Sequence, residues 1–149
     1  MRLQAHLAGA PGRAVAIAAT CSSLLLAAAC STPPYDASQR PIVTVRVAPS
    51  VTISWEPAGA QDVRVYRGTT AGDGYTPDLM WSVESVSENS ISSGFLYGVM
   101  PSGARTTVPA TALVPGQAYT VRITREVRSG DGFTSSRRRY VGTASFVAP

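Results

Sequence analysis

The chain has no lysine: all thirteen of its basic residues are arginines. It has one histidine, His6, and two cysteines, Cys21 and Cys30, all within the first thirty residues. Past Cys30 there is no imidazole to act as base for a Ser or Cys nucleophile. There is also no His or Cys to ligate zinc, and no pair of thiols for a disulfide. Long apolar runs are scarce. The uncharged apolar run near the start, Ala14 to Ala29, is shorter than the roughly 20 helical residues that cross a hydrocarbon core. Charge of one sign is scarce as well. Arg2 and Arg13 fall in the leader described below, so eleven arginines face nine acids in the rest, a net of +2. That balance is too mild to argue for nucleic acid.

What is present fits one domain with additions. A chain of 149 residues with 44% apolar content holds a single core. Glycine and proline together supply 24 residues, and Val, Thr and Ser run through the second half, which favours an all-β fold. Residues 1–13 carry Arg2, His6 and Arg13 and no acid, and Leu24, Leu25 and Leu26 form the apolar peak that follows. A basic start, an apolar run and then small residues make up a secretory signal peptide, read here over 1–29. A retained membrane helix is the bland alternative.

The run ends Leu26-Ala27-Ala28-Ala29-Cys30-Ser31. It resembles the lipobox of bacterial lipoproteins, although Ala27 stands where Leu or Val is commoner. Cys21 is a poor competitor, because Thr20 precedes it and the apolar stretch before it is too short. The resemblance implies that Cys30 becomes an acylated N-terminus bearing a diacylglyceryl group and an amide-linked chain such as palmitate. Several chains are what stable anchoring requires, since one alone holds only weakly. Ser31, where an Asp commonly retains such proteins at the inner membrane, implies the outer membrane of a Gram-negative host. Cleavage near Ala29 with no lipid is the competing reading. Residues 30–41, polar and bearing Pro33, Pro34 and Pro41, are expected as a flexible tether.

Beyond Pro41 the period becomes two. Val43, Val45 and Val47 alternate with Thr44 and Arg46; Val51, Ile53 and Trp55 alternate with Thr52 and Ser54. Val63 and Val65 flank Arg64, Tyr119, Val121 and Ile123 repeat the pattern, and Tyr140, Gly142, Ala144 and Phe146 share a face. Each is a strand with one face buried. Turn residues such as Pro57-Ala58-Gly59 and Ser129-Gly130-Asp131-Gly132 lie between them. About eight short strands over 42–149 predict a two-sheet β-sandwich.

Val51-Thr52-Ile53-Ser54-Trp55-Glu56-Pro57 is similar to the second strand of a fibronectin type III domain, and Asp62 to Arg67 suits the third. Leu113-Val114-Pro115-Gly116, leading into Tyr119, looks like that family's E–F corner, in which the Tyr hydroxyl bonds back to the corner backbone. The resemblance implies an immunoglobulin-like sandwich. Met80 to Val86 and Ile91 to Pro101 depart from it and resemble stretches of small bacterial secreted proteins, a likeness that implies no activity.

Candidate sites are few. The nine acids are scattered, so a glycosidase working through acids alone is the weakest of the functional readings. Gly72-Asp73-Gly74 with Asp78 reads as a turn in preference to a calcium loop, which needs six or more converging oxygens. No cofactor or metal is called for. Trp55 and Tyr119 are assigned to core and corner. Trp81, on a strand with Val83, is expected in the core; if exposed beside Tyr75 or Tyr97, it would stack on sugar. Arg64, Arg122 and Arg139, with Arg137 and Arg138, are expected to form one basic face for anionic polysaccharide or lipid phosphate. The reading that comes ahead of that binding role is that Arg137-Arg138-Arg139 blunts an edge strand against aggregation. The expected function is a lipid-anchored, non-catalytic interaction or structural module of the cell envelope. Its partners are the membrane and an envelope protein or anionic polysaccharide; a carbohydrate-binding module is the alternative.

Overall fold

In the computed structural model, residues 34–69, 78–129 and 136–149 are described. The expected leader, Cys30, Tyr75, Gly72 to Gly74 and Gly130 to Gly132 lie outside the described residues. Alternating apolar residues form eight strands: β1 (Ile42–Arg46), β2 (Thr52–Glu56), β3 (Asp62–Arg67), β4 (Leu79–Ser85), β5 (Phe95–Leu96), β6 (Ala104–Val108), β7 (Ala118–Ser129) and β8 (Ser136–Val147). They make two antiparallel sheets, β1-β2-β5 and β6-β4-β3-β7-β8. The fold is an all-β sandwich.

The interior is filled by the residues that the period of two selects. Ile53 and Trp55 come from the three-stranded sheet; Val63, Val65, Val83, Val121 and Ile123 come from the five-stranded one, and all are buried. Each such side chain contributes about 1.5–3 kcal/mol by leaving water. Four aromatics cross the interface edge to face: Trp55 on Phe95 at 5.6 Å, Phe95 on Trp81 at 5.6 Å, and Trp81 on Tyr97 at 5.2 Å. Edge-to-face contact places each ring's positive edge on its neighbour's negative face. The chain of rings ties β2 and β5 to β4.

The segment from Val86 to Gly103 joins the two sheets, with little regular pairing of its own. Ile91 bridges Ala60, and Ser93 takes the place of a strand residue beside Trp55. Its hydroxyl accepts from the Trp55 N–H at 2.8 Å and donates to the Trp55 carbonyl at 3.0 Å, so both backbone groups find partners. The Tyr97 hydroxyl then donates to the Thr111 carbonyl at 2.7 Å, fixing the return crossing ahead of β7. At the corner, the buried Tyr119 hydroxyl accepts from the Val114 N–H at 2.8 Å, and Leu113 packs on the core. This is the corner bond expected from the sequence.

β7 and β8 pair along their full lengths, from Ala118↔Val147 to Ser129↔Ser136, whereas β3 stops opposite Thr124. The hairpin therefore projects beyond the sheet and is held by side chains. The Asn89 amide donates to the Glu126 carbonyl and accepts from the Glu126 N–H at 2.9 Å, copying a strand neighbour. Arg125 donates to the carbonyls of Ala58 and Gly59.

Of the tether expected over 30–41, the part from Pro34 on is described. It docks on β8. The Tyr35 ring lies 5.5 Å from that of Tyr140, and the Asp36 N–H donates to the Tyr140 hydroxyl at 3.0 Å. Asp36 caps a single 3-10 turn, Ala37–Gln39, by accepting from the Ser38 N–H at 3.0 Å. Arg40 donates to the Val141 carbonyl at 3.1 Å. The Pro41 carbonyl runs so close to Gly142 that a Cβ there would sit 2.0 Å from it. Only glycine admits that approach.

Candidate functional site

The outer face of the five-stranded sheet carries four of the predicted arginines, Arg64, Arg122, Arg137 and Arg139. Register places Arg64 directly opposite Arg122, Arg122 opposite Thr143, Glu126 opposite Arg139, and Arg128 opposite Arg137. Like charges facing each other across strands repel, and carboxylates set among them relieve this. Arg64 Nε lies 3.2 Å from the Asp62 carboxylate. Glu126, its side chain only 15% exposed, lies 3.1 Å from Arg139 and 3.6 Å from Arg137. Arg128 meets Glu88 at 3.0 Å. The face is thus a ladder of arginines with carboxylates set between them.

Burial pushes the Asp62 carboxyl above the usual carboxylate range. Arg64, the Thr124 hydroxyl, Arg139 and Arg122 all pull it down, in that order, and together do not cancel the desolvation. Arg138 does not join the face. Successive side chains of a strand point to opposite sides, so Arg138 lies across β8 from Arg137 and Arg139, and it is half-buried. The expectation of three consecutive arginines on one surface is corrected on that ground.

Trp81 is 1% exposed, enclosed by Phe95 and Tyr97, so its faces are closed to a sugar ring. Tyr97 is half-buried against it, and desolvation, followed by Tyr119, raises its phenol to about 12. The aromatic contact site conceived on these two residues is thereby corrected: they are structural. Asp78 lies 3.4 Å from Arg67. Among the described residues, no group of three His, Cys, Asp or Glu side chains converges on a metal position.

Two hollows were not foreseen. One, of about 180 Å³, lies over the outer side of β1 and β2 between Thr44, Ser54, Glu56 and Ser93. The larger, about 360 Å³, lies at the end of the sandwich away from the hairpin projection. Val51, Leu96, Tyr97, Val99, Leu113 and Ala148 line it. Leu96, Val99 and Val114 at that end are 42%, 53% and 52% exposed, an apolar rim that turn residues scattered along the chain assemble. The available signal was an excess of Val and Leu beside turns, which singly means nothing.

No protein-family model, curated protein or solved structure matches the chain. No helix among the described residues is long and apolar enough to cross a membrane.

Proposed function

We propose that the chain is a bacterial lipoprotein, acylated at Cys30, which displays a fibronectin type III-like sandwich as a non-catalytic interaction module of the cell envelope. The observation that carries the anchoring is the run Leu26-Ala27-Ala28-Ala29-Cys30 behind a basic, then apolar, leader. The fold type draws support from the buried Trp55 on β2, the Tyr119–Val114 corner, and the orders β1-β2-β5 and β4-β3-β7-β8. The non-catalytic reading draws support from the acids themselves. Asp62, Asp78, Glu84, Glu88 and Glu126 each lie against an arginine rather than against each other. Tethering is the mechanism: confinement to a surface raises the effective concentration of even a weak binder. A tagged pull-down from detergent-solubilised envelope, run beside Cys30→Ala, tests this. Co-purification of an envelope component with the native form, lost with Cys30→Ala, supports it. A Cys30→Ala protein that still sediments with membranes contradicts it.

A further inference from the structure

The docked N-terminal segment sets how the domain sits on a membrane. Between Cys30 and Tyr35 the chain has only Ser31, Thr32, Pro33 and Pro34. Five residue steps reach at most about 18 Å when fully extended. Tyr35 is fixed on Tyr140, at the hairpin end of the domain. The apolar hollow includes Ala148, eight residues farther along the chain than Tyr140, seven of them in β8. At strand spacing this is about 26 Å. To turn the hollow toward the bilayer, the attachment point would have to stand farther from the surface than the leash reaches. The docking of Tyr35 makes that orientation inaccessible.

The end that the leash does bring down is basic among its described residues. Arg40, Arg125, Arg128, Arg137 and Arg139 lie there, with Glu88, Glu126 and Asp62 as the carboxylates facing them. Asp36, on the same segment, is engaged with Ser38. Arg128, Arg137 and Arg139 keep side-chain exposures of 48%, 57% and 62% despite their ion pairs, so their remaining N–H groups are open to further acceptors. A guanidinium can serve one carboxylate and a phosphate oxygen together, since it has five donors in a planar fork.

We propose that the anchored domain rides with its β7–β8 hairpin end against the bilayer, those arginines on anionic phospholipid headgroups, and the apolar hollow facing away from the membrane. This rests on acylation of Cys30.

The test uses the full acylated chain in vesicles, with a single added thiol carrying a fluorophore at Ser87→Cys, by the hairpin, or at Ser50→Cys, by the hollow. A quencher is attached to the lipid headgroup. In vesicles containing phosphatidylglycerol, the label at position 87 is quenched several-fold more than the label at position 50. Pure phosphatidylcholine, high salt, or the pair Arg137→Ser and Arg139→Ser reduces quenching at position 87. Equal quenching at both positions overturns the orientation. A contrast indifferent to lipid charge, salt and the arginine changes overturns the role of the arginines. Intact mass on the same samples separates the two failures: an unmodified Cys30 removes the anchoring reading and the orientation with it, whereas acylated protein without the contrast removes the orientation alone.

Discussion

The Tyr35 ring lies 5.5 Å from that of Tyr140, tilted by 36°, and the Tyr140 hydroxyl also accepts the backbone N–H of Asp36. With the Arg40 side chain on the Val141 carbonyl, these contacts hold the N-terminal segment on the sandwich. An aromatic pair adds about 0.5–1.5 kcal/mol beyond the area it covers. Tyr35→Ala is therefore expected to release the segment without unfolding the domain. Hydrogen exchange checks this. Protection at the Gln39 and Arg40 amides, which donate to the Asp36 and Ala37 carbonyls, should fall while protection in β2 and β7 stays.

Trp81 and Tyr119 are both buried but should respond differently to substitution. Trp81→Ala empties the middle of the ring chain and is expected to cost about 3–5 kcal/mol. Tyr119→Phe keeps the volume and leaves the Val114 N–H without its acceptor, at a cost of about 1–3 kcal/mol. Urea unfolding of the two variants, with unchanged slope, measures the difference. Near-equal losses would mean that the corner bond matters as much as the core.

The strands were legible because β1, β2, β3, β7 and β8 each alternate with a period of two, and one buried face is all that such a pattern encodes. The corner was legible because Leu113, Pro115, Gly116 and Tyr119 are close in sequence. Trp81 was harder to place: Met80, Trp81, Ser82 and Val83 are all buried, so β4 offers no wet face to set the parity. Arg138 was a failure of reading, since alternation alone separates it from its neighbours. The docking of Tyr35 on Tyr140 could not be read at all. It joins residues more than a hundred positions apart, and its segment is polar. The same holds for Ser93 and Asn89, whose side chains replace backbone partners in ways that composition does not signal.

Asp62 gives the acid side of the pH profile. Its folded pKa lies above the ordinary 3.8, chiefly through burial, so the fold favours the protonated form. Its contribution to stability is full below the unfolded value and is lost as pH rises through the folded one. Asp62→Asn removes this dependence. Stability of the variant relative to the native chain should rise with pH across the acid range and then level off. Parallel curves in chemical denaturation would show that Asp62 is not desolvated.

Tyr97 gives the alkaline side. Desolvation lifts its phenol from 10 to about 12, so its contribution is intact below the ordinary value and fades as pH climbs through the raised one. Tyr97→Phe should lose a phenolate absorbance step near pH 12. Its stability should be lower near neutrality, because the Thr111 carbonyl loses its donor, and the gap should narrow above pH 10.

The most direct measurement is tandem mass spectrometry of the mature protein isolated from its host. Acylation at Cys30 predicts a chain that starts at residue 30, with a diacylglyceryl thioether on its sulfur, recovered with the membranes. A free thiol at that position, on protein released into the medium, would contradict it.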